Sequence, residues 1–166
     1  MDDVRVPEEN LVGERGRGFY YAMEFFDMTR IIVAAQAVGV AQGALDMAVE
    51  YAKDRETFGQ PLASYQAIQF QLAEMQIRVE AARAMLYKAA WGVDNGKQNI
   101  MAVAAVKWFA AESAVKNCDQ SLQIHGGYGY INDMDIERFY RAAKLLEIYE
   151  GTKEIEKLII ARELLK

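Results

Sequence analysis

The chain has 166 residues and a formal net charge of −5, with 52% hydrophobic and 26% charged residues. This length suits one domain with a buried core, and this balance is typical of a globular protein rather than a disordered one. The negative charge disfavours a nucleic-acid partner, which would require a basic face on the protein. A single histidine disfavours a zinc site, and we expect no bound metal. A single cysteine, Cys118, excludes an internal disulfide and fits a reducing compartment.

The N-terminal sequence, Met-Asp-Asp-Val-Arg, has neither the apolar segment of a signal peptide nor the basic bias of a transit peptide. No uninterrupted apolar run has transmembrane length, because the longest, 31–41, contains Gln36. We therefore expect no membrane partner. The expected location is the cytoplasm, or the mitochondrial matrix if the source is eukaryotic.

The first predicted helix covers residues 19–53 and follows an extended, glycine-rich segment over 1–18. Small residues at helical spacing form its apolar face: Ala34, Ala37, Val38, Ala41, Ala44, Leu45 and Ala48. Gly39 and Gly43 lie on a neighbouring face. A glycine inside a helix costs about 1 kcal/mol, so this pair predicts that another helix packs closely there.

Helices are also predicted over 64–94 and 100–124, because each has an apolar seam with alternating steps of four and three residues. The seams are Ile68, Leu72, Met75, Val79, Ala82 and Leu86 in one helix, and Ala104, Trp108, Ala111, Val115, Cys118 and Leu122 in the other. A short helix is expected near Asp135 and a last one from an N-cap at Thr152 to Leu165. The predicted fold is all-α: an antiparallel, up-and-down, four-helix-bundle-like domain with an extra C-terminal helix.

Three turns at the ends of predicted helices carry candidate functional residues: 55–61, 123–130 and 149–152. Glu150, next to Ile148 and Tyr149, is either a desolvated general base or a solvated acid at a helix boundary. Arg55 either clamps a phosphate or binds the last carbonyls of its own helix.

The glycine turn allows two interpretations as well. Gln123, Gly126 and Gly127 offer an amide and bare N–H groups to a ligand, although a glycine C-cap explains the glycines equally well. His125 and Cys118 are interpreted as packed residues rather than catalytic ones. The guanidinium of Arg30, near Asp27, belongs either to an intrahelical ion pair or to a buried active-site cation.

Taken together, these segments resemble the C-terminal helical domain of the acyl-CoA dehydrogenase family. The resemblance rests on the order and separation of segments 12–19, 27–30, 55–59, 123–127 and 149–152, together with Gln66. It implies that residues 1–18 are the remnant of a preceding β domain or a linker, and that 19–166 are the helical domain. Because the family also has an N-terminal helical domain and a central β domain, the resemblance implies that this chain alone is inactive.

Members of the family desaturate an acyl-CoA thioester between Cα and Cβ: a glutamate removes the α-proton, and FAD accepts the β-hydrogen as a hydride. The resemblance implies that Glu150 is this base and that its main-chain N–H joins the oxyanion site. Thr29 stands where some members carry the base instead, and it has no carboxylate. The resemblance further places Asp27, Thr29, Arg30 and Gly151 on the acyl-CoA side.

A partial FAD site is also implied by the resemblance. Its expected residues are Arg55 and Thr57 at the pyrophosphate and ADP part, Phe58, Gln66, Gln123, Gly126 and Gly127 towards adenosine, often in an adjacent subunit, and Thr152 and Glu154 at the subunit's own FAD. The implied partners are a second or further copies of the chain, in a homodimer or homotetramer, and an electron-transferring flavoprotein. A non-catalytic helical oligomerisation module derived from the same family is the alternative.

Overall fold

The computed structural model describes residues 2–97 and 99–166. Three long helices dominate it: α1 (Gly18–Asp54), α2 (Gln66–Asp94) and α3 (Ile100–His125). The one-turn helix α4 (Gly127–Tyr130), then α5 (Ile136–Leu146) and α6 (Lys153–Leu164), follow them. Strands β1 (Glu56–Thr57) and β2 (Gln60–Pro61) form a small antiparallel hairpin between α1 and α2, and short 3-10 helices lie at Glu8–Asn10 and Leu62–Ser64. The all-α prediction is confirmed.

The core lies where α1, α2 and α3 meet, and α1 makes its most extensive contact with α3. All seven residues of the predicted α1 face are buried, and their small size lets α3 approach closely. In α2 the predicted seam is buried from Met75 to Leu86, whereas Ile68 and Leu72 are half-buried. Helices α5 and α6 cover α3 on its remaining side.

Only one glycine of the α1 pair mediates close packing. A Cβ on Gly43 would lie 2.9 Å from Cε1 of Phe139, so the missing side chain makes room for this ring of α5. At Gly39, no described residue outside the adjacent backbone of α1 lies within 4 Å of the same position. The helix that approaches α1 here is therefore the short α5.

The hairpin and α4 are absent from the predicted elements. Phe58 and Gly59 both have positive φ, 50° and 80°, which is the conformation of a type I′ hairpin turn. Thr152 occupies the N-cap position of α6 as predicted, but its side chain makes no capping hydrogen bond.

By length and composition α1 could cross a membrane, since its most apolar 18-residue window has a mean hydropathy of 1.5. A window average can be high even though polar residues such as Gln36 interrupt the apolar run, which is why the sequence alone showed no run of transmembrane length. Within the bundle, 44% of this window is buried, and its apolar residues pack on α2 and α3. The central position of α1 in the core explains its apolar character.

Asn117 on α3 connects the three long helices through its buried side chain. Its amide donates to the main-chain carbonyls of Ala41 at 3.2 Å and Met75 at 3.1 Å, and its Oδ1 accepts from Arg78 at 3.0 Å. We expect Asn117→Ala to lower the free energy of unfolding by about 2–4 kcal/mol, because the carbonyls of Ala41 and Met75 and the guanidinium of Arg78 lose a hydrogen-bond partner. Chemical denaturation measures this loss. The control Asp119→Ala, at an exposed position of α3, should change it by less than about 0.5 kcal/mol, and equal losses would contradict the role of Asn117.

Candidate active site

The turn between α5 and α6, residues 149–152, carries the candidate base in a strained conformation; we call it the base turn. Glu150 has φ +56° and the following Gly151 has φ +101°. The left-handed region costs a non-glycine residue roughly 1–2 kcal/mol. Such strain persists only where surrounding contacts hold the backbone in place, and it is concentrated at functional sites.

Three side chains from α1 and α3 hold the base turn. Oγ1 of Thr29 donates to Oε2 of Glu150 at 2.5 Å, and Nε of Arg30 donates to the main-chain oxygen of Glu150 at 3.3 Å. From α3, the ammonium group of Lys107 donates to the main-chain oxygen of Gly151. The half-buried carboxylate of Glu150 is therefore anchored on α1 by Thr29, the residue that the resemblance places at the alternative base position.

The sequence suggested that Ile148 and Tyr149 shield the Glu150 carboxylate from water, but only Tyr149 is partly buried. Ile148 is 53% exposed, so it does not desolvate the carboxylate. The hydroxyl of Tyr149 donates to Oε1 of Gln36 at 2.5 Å. Burial and the nearby charge of Glu150 raise the pKa of the Tyr149 hydroxyl. The surroundings of Glu150 are thus set mainly by residues distant in sequence.

Arg30 satisfies both interpretations that the sequence left open. Its side chain is buried, and Nη1 pairs with Oδ1 of Asp27 at 3.0 Å within α1. At the same time, Nε lies 3.0 Å from Oε1 of Glu156 on α6. Arg30 is therefore an intrahelical ion-pair partner and also a buried cation next to the candidate base.

The sequence interpretation missed two buried charges beside Arg30. Lys107 on α3 is 1% exposed and Glu156 on α6 is fully buried; together with Arg30 we call them the buried charge cluster. A weak signal for Lys107 was present, because it lies next to the seam residue Trp108 and three and four residues from the seam residues Ala104 and Ala111, on the edge of the apolar face.

A third missed residue, Glu147, is buried at the C-cap of α5. Its carboxylate pairs with Lys144 on its own helix and, at 3.6 Å, with Lys153 at the start of α6. The main-chain N–H of Lys153 also donates to the carbonyl of Glu147 at 3.3 Å. These contacts bridge the two ends of the base turn and fix the distance that it spans.

Burial shifts the pKa values of Glu156 and Lys107 in opposite directions. It raises the pKa of Glu156 to about 7, although the charges of Arg30 and Lys107 act in the opposite direction. It lowers the pKa of Lys107, against the attraction of Glu156. Within residues 2–97 and 99–166, no aligned hydrogen-bond donor reaches either carboxylate oxygen of Glu156, because Nε of Arg30 is close but poorly directed.

A second set of predicted residues lines an open cleft of about 480 Å³ between the end of α1, the hairpin and the α3–α4 junction. Among its lining residues are Arg55, Thr57, Gly126 and Gly127. The guanidinium carbon of Arg55 lies 5.4 Å from the ring centre of Tyr128. In the described part of the chain, Arg55 forms no ion pair and no side-chain hydrogen bond to the carbonyls of α1. An accessible cation in this cleft suits a phosphate ligand.

The glycine turn fits the C-cap interpretation more closely than the ligand cradle. The N–H of Gly126 donates to the carbonyl of Gln123 at 3.1 Å, so it is not free for a ligand. Gly126 has φ +60°, a conformation that favours glycine. Apart from the adjacent backbone, nothing in the described residues lies within 4 Å of a Cβ built on Gly126 or Gly127, which leaves the cleft open at this point.

The remaining predicted cofactor residues lie outside the cleft lining. Phe58 is 97% exposed at the hairpin tip, and Gln66 and Gln123 are exposed on their helices. Thr152 is the last residue of the base turn and the N-cap of α6, and Glu154 lies in the first turn of this helix. The structure thus places Arg55, Thr57, Gly126 and Gly127 in the cleft and Thr152 and Glu154 at the base turn, whereas the other three are exposed outside both.

His125 and Cys118 are packed residues, as predicted. Nδ1 of His125 lies 2.7 Å from the carbonyl oxygen of Ser121, and its ring stacks on Tyr51 with a centroid distance of 4.2 Å. Burial raises the pKa of the Cys118 thiol to about 12, which keeps it protonated and unreactive.

Comparisons with known sequences and structures all match the same protein family. The sequence model of the family described as "Acyl-CoA dehydrogenase, C-terminal domain" matches residues 16–165. The whole chain aligns with 44% of the length of the probable acyl-CoA dehydrogenase YngJ of Bacillus subtilis, at 50% identity. It also aligns with 44% of the length of the caffeyl-CoA reductase-Etf complex subunit CarC of Acetobacterium woodii, at 45% identity. The structure of butyryl-CoA dehydrogenase from Megasphaera elsdenii superposes on 99% of the chain with a TM-score of 0.96 and 45% identity, and the matched part is 43% of that structure's chain. The chain therefore spans less than half the length of these relatives.

Proposed function

Because the chain belongs to the acyl-CoA dehydrogenase family, whose C-terminal domain it matches, we propose that it works in an FAD-dependent enzyme that desaturates an acyl-CoA thioester between Cα and Cβ. The observation that carries this proposal is the base turn, with the Glu150 carboxylate held by Thr29 and its main chain held by Arg30. Anaerobic mixing of the FAD-loaded holoenzyme with acyl-CoA tests it. The flavin absorbance should bleach within one turnover, and an unchanged spectrum would reject the proposal.

The proposed base is Glu150, whose carboxylate is anchored but only half-buried and can reach a substrate. Its own N–H is not used by any hydrogen bond among residues 2–97 and 99–166. This N–H is therefore available for the thioester oxygen, where negative charge develops as the α-proton leaves. FAD, when bound, supplies the acceptor for the β-hydrogen as a hydride. Asp27, Thr29, Arg30 and Gly151 complete the proposed acyl-CoA side.

The cleft supports a partial FAD site. Arg55 offers a cation for the pyrophosphate, and Thr57 lies beside it in the same lining. Gly126 and Gly127 leave space for a ligand. The exposed side chains Phe58, Gln66 and Gln123 are free to contact a cofactor that is shared with an adjacent subunit, whereas Thr152 and Glu154 are proposed for the subunit's own FAD.

The proposed assembly is a homodimer or a homotetramer. Large apolar side chains remain exposed along the long helices, including Phe25, Ile32, Phe70, Ile77, Tyr87 and Trp91. Burying apolar surface stabilises an assembly by about 25 cal/mol per Å², so these faces favour contact with further copies. This surface fits the oligomerisation module equally well, but such a module does not require the strained base turn.

An electron-transferring flavoprotein is the proposed electron partner, by analogy with the relative in Acetobacterium woodii that is named as part of an Etf complex. The proposed compartment is the cytoplasm, or the mitochondrial matrix in a eukaryote. The buried free thiol of Cys118 is compatible with both.

The isolated chain should bind FAD weakly, and about as weakly as ADP, because its cleft residues address the ADP half of the cofactor. Isothermal calorimetry with both ligands measures this. Arg55→Gln should weaken ADP binding about tenfold, since one charge-assisted contact to phosphate is lost. Lys88→Gln, at an exposed position of α2, serves as the control. FAD binding much tighter than ADP binding would show that this domain also encloses the flavin ring, and binding of neither ligand would favour the oligomerisation module.

A further inference from the structure

Glu156 lies against the base turn without a part in the chemistry proposed above. It is fully buried on α6, and its Oε1 lies 3.0 Å from Nε of Arg30. The same Nε lies 3.3 Å from the main-chain oxygen of Glu150. A Cβ built on Gly151 would lie 2.3 Å from Oε1 of Glu156, so this carboxylate packs against the backbone of the base turn.

Resting on the proposed function, we propose that Glu156 is a positioning residue for the base: its carboxylate holds Arg30, and Arg30 holds the left-handed main chain of Glu150. Lys107 supports the next peptide from α3 through the carbonyl of Gly151. Each of the two carbonyls in the strained part of the base turn is thereby held by a buried cation. Glu156 is the anion on α6 that balances the charge of Arg30 there.

The position of Glu156 is not explained by stability of the fold alone. Burying a carboxylate is costly, and an apolar side chain of similar size often stabilises a buried position more than an ion pair does. The poor alignment with Arg30 lowers the gain further. A carboxylate at this position does, however, hold the Nε side of the Arg30 guanidinium, whereas Asp27 pairs only with Nη1.

The positioning contact should respond to pH. Around Glu156 and its cluster, the charged groups are Asp27 and Arg30 on α1, Lys107 on α3, Glu147 at the end of α5, and Glu150. Burial raises the pKa of Glu156 to about 7 in spite of the two cations. Above this pH the carboxylate is charged and holds Arg30, and below it the protonated acid releases its hold. The conformation of the base turn should therefore change near neutral pH.

Amide NMR of the ¹⁵N-labelled chain tests this directly, between about pH 5 and about pH 9. In the wild type, the amide shifts of Glu150 and Gly151 should follow one transition with a midpoint near the pKa of Glu156. Glu156→Gln preserves the size of the side chain and should abolish this transition while the circular dichroism spectrum stays unchanged. Glu163→Gln, about 10 Å further along α6, is the matched control and should retain it.

Two results of this titration would overturn the proposal. One is the absence of a transition in the wild type, which is decisive even if Glu156→Gln fails to fold. The other is a transition of wild-type size and midpoint in Glu156→Gln.

The FAD-loaded holoenzyme provides the functional arm. At about pH 8, Glu156→Gln should slow flavin reduction by acyl-CoA about 10- to 100-fold, because the base is displaced from its productive position. The pH profile should also lose its step near neutral pH. An unchanged profile would overturn the positioning role. A wild-type holoenzyme that acyl-CoA does not reduce would instead reject the proposed function, and the amide titration would still decide whether Glu156 holds the turn.

Discussion

Replacing Glu150 with glutamine should slow the reduction of bound flavin by acyl-CoA at least about 10³-fold and leave FAD bound. A positioned general base contributes roughly 10²- to 10⁴-fold to such a step, and the amide cannot accept the α-proton. Thr29, at the alternative base position, has no carboxylate to take over. Anaerobic stopped-flow bleaching of the flavin in the full-length holoenzyme measures the rate, and the flavin absorbance of the purified variant reports cofactor retention.

The same substitution at a distant position provides the control. Glu112→Gln on α3 removes a partly exposed carboxylate that pairs with Lys116 at 3.3 Å. It should bleach at the wild-type rate. If Glu150→Gln also bleaches at that rate, the base lies elsewhere and the central assignment is wrong.

Gly151→Ala should disable the base turn while leaving the Glu150 side chain in the sequence. The backbone of Gly151 has φ +101°, which alanine adopts only with strain, and the new Cβ would lie 2.3 Å from Oε1 of Glu156. We expect the free energy of unfolding to fall by about 2–4 kcal/mol and flavin reduction to slow at least about 10²-fold. Chemical denaturation of the chain and stopped-flow bleaching of the holoenzyme measure the two effects.

Gly39→Ala is the matched control for this substitution. Gly39 lies inside α1, and among residues 2–97 and 99–166 only the helix's own backbone comes within 4 Å of the position of its Cβ. Alanine there should stabilise the chain by up to about 1 kcal/mol, because it favours the helix over the unfolded chain. If Gly151→Ala behaves like Gly39→Ala in both measurements, the geometry of the base turn has no functional importance.

Periodicity was sufficient to predict the three long helices and much of the core. The α1 face is apolar at helical spacing because it packs against α3, so its seven residues could be identified without coordinates. Thr152 could likewise be placed at the start of α6, since a turn residue precedes the helical pattern. The hairpin was missed because two residues per strand give no detectable alternation, and its left-handed turn includes Phe58, a residue type that does not favour positive φ.

The candidate site could be predicted only where its residues form local motifs. Glu150 and Arg55 were predicted as candidates because they lie in turns at helix ends, and the resemblance to the family added their roles and that of Gly151. Glu156 and Lys107 were missed, because their importance depends on α3 and α6 meeting behind the turn. Spacing along one helix shows that a charged residue occupies a buried face, but it does not show which charge from another helix balances it.

The role of Glu150 as base is tested most directly by separating proton removal from hydride transfer. A CoA thioester with sulfur in place of Cβ can lose its α-proton but has no β-hydrogen to transfer. With the wild-type holoenzyme, the resulting anion beside oxidised flavin should produce a long-wavelength charge-transfer band. Glu150→Gln should bind the same thioester without this band. A band of wild-type intensity in Glu150→Gln would contradict the assignment of Glu150 as the base.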